Sequence, residues 1–200
     1  MYYLLLTIHY SQFTIHYSLC TTHDIIDMKK IILLVIAMAF TFSSCEKDDI
    51  CDANTSTTPR LVISFYDVNN ASVAKSVTNL TIIGEGMTEG ITFSGSTLIN
   101  GNTVSIPLQT DVDATTFRFI LNFGNANPAV VNEDIVRLNY TRKNEFVSRA
   151  CGFKTTYLLD PVTPFVHTDG ATANGKWINT IAVKNSTIET ENETHLEIFF

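Results

Sequence analysis

The chain predicts an all-β fold, an antiparallel β-sandwich of immunoglobulin-like or similar form, with a small closed β-barrel as the alternative. Three observations carry that expectation. From residue 60 onward, short runs alternate apolar and polar residues. Asn, Asp, Gly and Pro interrupt those runs about every ten residues. No stretch of the same region repeats its apolar residues at the 3.6-residue period of a helix.

The elements follow in order. Leu61 to Tyr66 (LVISFY) opens the domain and stops at Asp67 and Asn69-Asn70. Val77 to Ile83 alternates until Gly84 and Gly86. Ile91 to Phe93 is a short third run. Thr97 to Ile99 and Thr103 to Leu108 flank Asn100-Gly101-Asn102, and an Asn-Gly pair between strands signals a hairpin. Phe117, Phe119, Leu121 and Phe123 alternate with polar residues and share one face. Ile135 to Thr141 and Phe146 to Cys151 read as two strands joined by a turn at Arg142-Lys143-Asn144-Glu145. Phe153 to Leu159 is stopped by Asp160-Pro161, and 161–175 reads as a long loop. Trp177 to Val183 and Leu196 to Phe200 close the domain. This makes about nine or ten strands at regular spacing, the pattern of a two-sheet sandwich.

Upstream of the domain the sequence changes character. TIHYSQF (Thr7 to Phe13) is followed by TIHYSLC (Thr14 to Cys20) and TTHDIID (Thr21 to Asp27), a decaying tandem repeat. It lacks the sustained apolar a and d positions of a coiled coil. A translated DNA repeat explains it better, so 1–27 reads as an upstream extension and Met28 as the start. From Met28 the chain runs MKKIILLVIAMAFTFSSC to Cys45. A basic end (Lys29, Lys30), an apolar stretch and small residues before a cysteine make a lipoprotein signal peptide over 28–44. Ile31 to Phe42 is about a dozen residues, short of the roughly 20 needed to span a bilayer. Phe42-Ser43-Ser44 resembles a loose lipobox, with Phe and Ser replacing the usual residues. A diacylglycerol on the Cys45 thiol and an acyl chain on its new amine then hold residues 45–59 as a lipidated tether, ahead of the sandwich domain at 60–200. Two or more acyl chains anchor stably where one does not. Glu46-Lys47-Asp48-Asp49 reads as a solvated tether, and it also looks like a signal for export to the cell surface.

The chain carries 13 Lys and Arg against 20 Asp and Glu, a net charge of −7. In the first 44 residues Lys29 and Lys30 cancel Asp24 and Asp27, so the whole excess belongs to the part that follows. No basic stripe offers to neutralise phosphates, which excludes nucleic acid as a partner. With Cys20 in the extension and Cys45 assigned to lipid, Cys51 and Cys151 remain in an oxidising compartment and are expected to pair. The chain-entropy model gives a bridge closing so long a loop up to about 4.7 kcal/mol. Free thiols or a metal pair are the alternatives, but no neighbouring His or third Cys completes a metal site.

Chemistry-bearing residues are sparse. His167 and Asp169 stand two apart in the long loop, and His195 and Glu197 two apart in the last strand, short of the three or four ligands a metal needs. Asp111 and Asp113 with Thr110 and Thr115 lack the glycine turn and distal Glu of a calcium loop and read as a polar turn. Ser148 has no nucleophile-elbow context. Gly84, Gly86 and Gly90 precede no helix that would cradle a phosphate. Tyr66, Tyr140, Tyr157 and Trp177 make either a carbohydrate platform or ordinary packing.

The segments Cys45-Glu-Lys-Asp-Asp-Ile-Cys51, Thr58 to Asp67, Ile106-Pro107-Leu108 and Val147 to Phe153 resemble a family of small, uncharacterised Bacteroidota lipoproteins. The resemblance implies export and a domain of unknown function. It brings no activity, cofactor or catalytic residue. The expectation is an outer-membrane lipoprotein on the periplasmic face or the cell surface. It has no catalytic residues, no metal and no cofactor, and it serves as a binding or accessory module for an envelope protein or a glycan. The alternative is an envelope glycan hydrolase working through carboxylates such as Asp67, Glu133 and Asp134, which requires two of them in one cleft.

Overall fold

The computed structural model describes residues 28–38, 50–52, 55 and 57–200. They fall in two units, Met1–Ile50 and Cys51–Phe200. In the first, residues 28–38 form a helix with every residue exposed. No helix among the described residues is long and apolar enough to cross a membrane. The extension 1–27 and Cys45 lie outside the described residues.

The second unit is built from β-strands, because alternating apolar residues leave one face of each strand to bury. In chain order they are β1 (Leu61–Asp67), β2 (Asn70–Ala74), β3 (Val77–Gly84), β4 (Ile99–Gly101), β5 (Thr103–Ile106), β6 (Ala114–Leu121), β7 (Asn132–Ser148), β8 (Gly152–Leu159), β9 (Phe165–Asp169), β10 (Thr180–Val183), β11 (Thr187–Ile188) and β12 (Leu196–Phe199). A 3-10 turn at Pro128–Val130 is capped by the Asn127 side chain.

Two sheets result, and neither closes on itself. One runs β10-β12-β1-β2, with β5 also on β1. The other runs β11-β8-β7-β6-β3-β4, with β9 on β7. This is the predicted all-β sandwich, not the closed barrel. Most pairings are antiparallel. The exception is β1 against β12, which runs parallel from Ile63↔Leu196 to Tyr66↔Phe199. Strands from opposite ends of the chain need no tight turn, so nothing forces them antiparallel.

The inner faces form one core. Leu61, Ile63 and Phe65 of β1, Leu80 and Ile82 of β3, Phe117 and Phe119 of β6, and Leu196 and Ile198 of β12 are buried in it. Burying each such side chain contributes about 1.5–3 kcal/mol. Trp177 and Phe200 pack edge to face, with centroids 5.4 Å apart.

Several expected elements differ. Asn100-Gly101 makes no hairpin: β4 pairs with β3 and β5 with β1, so the chain crosses between sheets there. The polar residues serve the corner. Asn100 Oδ1 accepts from Asn79 N–H, and the Asn102 carbonyl from Phe65 N–H. Phe123 does not continue its strand, because Asn122 turns the chain with φ 57°. Arg142 to Glu145 is no turn; β7 runs straight through it in register with β8. Ladder bonds there satisfy the backbone, while Lys143 and Lys154 both reach Glu145. The span 161–175 holds β9, half-buried at an edge and lacking a strong apolar pattern. Asn70–Ala74, wholly exposed, is a strand for the same reason: it pairs with β1 without a core face. Ile91 to Phe93 forms only an isolated bridge, Phe93 with Ser96.

Candidate functional site

The most distinctive surface feature is the β7–β8 hairpin. β6 begins at Ala114, opposite Asn139. Beyond that point β7 is laddered only to β8, as far as Ser148↔Gly152. The turn is closed by Ser148 Oγ, which accepts from Cys151 N–H at 3.0 Å. Gly152 takes φ 71°, where a Cβ is strained. Cys151 in this turn is bonded to Cys51, with Cα atoms 5.0 Å apart. The expected disulfide is therefore present, and it ties the start of the unit to the hairpin tip.

Phe146 and Phe153 face each other across the ladder. Their ring centroids lie 5.4 Å apart, and they are 61% and 69% exposed. The two-residue strand period puts them on the face that carries Tyr140 and Tyr157 into the core. Between the two aromatic pairs, Thr155 Oγ1 donates to Asn144 Oδ1 at 2.9 Å, and Thr155 N–H donates to Thr58 Oγ1 at 3.0 Å. Sequence reading missed this pair because the charged run at 142–145 looked like a turn. The usable signal was the spacing of Phe146 and Phe153 about a turn ending in Gly152.

The carboxylates of the hydrolase alternative are not brought together. Glu133 and Asp134 are consecutive on β7 and so point to opposite faces. Glu133 makes a two-pronged pair with Arg118, at 2.6 and 3.0 Å. That hydrogen bond pushes the guanidinium further up. Asp134 is fully buried. Its oxygens accept from Trp177 N–H (3.3 Å) and Ile178 N–H (2.9 Å), and its Oδ2 lies 2.8 Å from His167 Nε2. The group pins the loop that delivers Trp177 into the core, where the indole donates to the Phe119 carbonyl. Asp67 sits in the other sheet, partly buried at the end of β1. The Asn69 N–H holds its carboxyl below the usual range.

The remaining candidates are occupied locally. Asp169 accepts from Gly170 and Gly175 N–H, which closes a loop instead of joining His167. His195 is fully buried, and its Nδ1 accepts from Val62 N–H at 2.9 Å. Burial pushes the imidazole down, against weaker opposing pulls from Glu193 and Glu191. Its Nε2 has no partner, whereas Glu197 pairs with Lys184. Asp113 pairs with Arg142, which also donates to the Thr110 carbonyl. An arginine thus supplies the positive charge of that turn. Of the four aromatic residues, Tyr140, Tyr157 and Trp177 are buried and make no platform. Burial, with Tyr140 alongside, pushes the Tyr157 hydroxyl up to about 12. Among the described residues no three His, Cys, Asp or Glu gather as a metal site.

Fold and site together define an open two-sheet β-sandwich with a disulfide-tied hairpin standing past its core. A family model matches residues 79–200, and the chain belongs to that family, a family of unknown function designated DUF6452. The match runs from β3 to the C-terminus and leaves out β1, although β1 is paired on both edges in its sheet. No curated protein and no solved structure matches the chain.

Proposed function

We propose that the chain is a Bacteroidota outer-membrane lipoprotein, lipidated at Cys45, whose sandwich domain is a non-catalytic binding or accessory module of the cell envelope. The observation that carries this reading is the signal-like run from Met28 to Cys45. Two further facts support it. The Cys51–Cys151 bond suits an oxidising compartment. Each acid offered for glycan hydrolysis is engaged by a local partner: Asp134 by backbone N–H groups, Glu133 by Arg118, and Asp67 by Asn69. Partners of the module are an envelope protein or a glycan, and its position is the periplasmic face or the cell surface.

The test is expression of the chain and of its Cys45→Ala variant, followed by membrane fractionation and intact mass. The parent is expected in the outer-membrane fraction with a mass gain of diacylglycerol plus an acyl chain on Cys45. Cys45→Ala is expected to lose both the mass gain and the membrane. A variant that stays membrane-bound defeats the reading. Cross-linking and pull-down from native outer membrane then names the partner, and glycan turnover by the purified parent would defeat the non-catalytic part.

A further inference from the structure

We infer that the tip of the β7–β8 hairpin docks onto the lipid surface of the membrane that holds the anchor, with Phe146 and Phe153 entering the interface. This inference rests on the lipoprotein reading above and adds the orientation of the domain. Three independent observations lead to it. The first is the exposed aromatic pair, 61% and 69% accessible. Its members continue the core face past the point where the body of the sandwich covers it, and they pack edge to face on each other. Aromatic rings favour the zone between headgroups and acyl chains.

The second observation is covalent. Cys151 at the tip is bonded to Cys51, and Cys51 is six residues from Cys45. At about 3.3–3.6 Å per residue the six residues span at most roughly 20–22 Å, and the bridge adds 5.0 Å between its Cα atoms to reach Cys151 at the tip. The headgroup layer on each side of the hydrocarbon core is about 5–8 Å thick, so this short tether keeps the tip within reach of it.

The third is charge. From Thr141 to Leu158 the hairpin carries Arg142, Lys143, Arg149 and Lys154 against Glu145 alone. Asp113 pairs with Arg142 from outside the hairpin, so four bases against two acids leave +2, in a chain whose net charge is −7. A basic spot on an acidic protein is drawn to lipid phosphate, and the rest of the surface is turned away from it.

The test uses the full-length, lipidated protein, with Phe153→Trp or Phe146→Trp as reporters. It is reconstituted in vesicles of phosphatidylethanolamine and phosphatidylglycerol whose acyl chains carry bromine. Trp177, buried in the core, provides an unchanged background in the parent. Each reporter is expected to shift to the blue and to lose about half of its emission, because an interfacial side chain sits about 5–10 Å into the headgroup and acyl boundary. Water-like, unquenched emission from both reporters in protein verified by mass as lipidated overturns this inference and leaves the anchor reading standing. A blue shift that grows with protein density and shows no bromine quenching assigns the pair to contact between copies, and also overturns it. Absence of lipid on Cys45 overturns both readings.

Discussion

The two halves of β7 make different proteins of one strand. From Asn132 to Asn139 it is flanked by β6 on one edge and largely by β9 on the other. Its inward residues Val136 and Leu138 are almost wholly buried. From Thr141 to Ser148 it keeps only β8, and its inward Phe146 is open to solvent. The first half is held by apolar burial across the sandwich. The second is held by a two-stranded ladder, which alone is marginal in water, and by one covalent bond at its end. Where hydrophobic cover stops, the disulfide takes over the task of fixing position.

Substitutions in the body break the comparison most severely. Phe119→Ala removes a buried ring from the centre of the core, and chemical denaturation is expected to show a loss of about 3–5 kcal/mol. Exchanging both Cys51 and Cys151 for Ser is expected to lower stability by about 2–4 kcal/mol. Hydrogen exchange should then speed up first in residues 143–154. Uniform speeding across the sandwich would mean that the bridge acts on the whole unfolded chain and not on the hairpin.

A third prediction concerns pH and belongs to the body. His195 is buried with Nδ1 accepting from Val62 N–H, and its folded pKa is lowered. Above the ordinary histidine value of about 6.5 the ring is neutral in both states and adds no pH dependence to stability. As pH falls below it, the unfolded chain takes up the proton first, so stability declines by at most about 1.4 kcal/mol per pH unit until the folded pKa is passed. His195→Gln, which keeps an acceptor and cannot titrate, is expected to flatten that part of the pH–stability curve. The smallest effect is at the tip. Phe146→Ala with Phe153→Ala is expected to change the stability of the lipid-free fold by about 1 kcal/mol or less, since the pair is exposed and loses only its mutual contact. A larger loss would place these rings in the core and remove them as a docking surface.

Residues with a strong period were legible. β1, β3, β6 and β12 appear where alternating Leu, Ile and Phe predicted them. The Cys51–Cys151 pairing was expected from two cysteines left unassigned in a domain read as exported, and the bond is present. Elements without a core face were not legible. β2 is fully exposed and β9 half-buried, so neither carries a pattern of burial to read. Asp134, just ahead of the strand expected from Ile135, reads from sequence only as one carboxylate of the hydrolase alternative, and its surroundings show it holding Trp177 and Ile178 in place.

The sequence by itself determined the class of fold and the inward face of each well-patterned strand, because those depend on local alternation and on composition. The tertiary structure decided which strands are neighbours, that Asn100-Gly101 crosses between sheets, and that β7 outruns its cover. Those outcomes depend on which backbone groups find partners far along the chain, and a side-chain pattern with a period of two is the same for every possible neighbour.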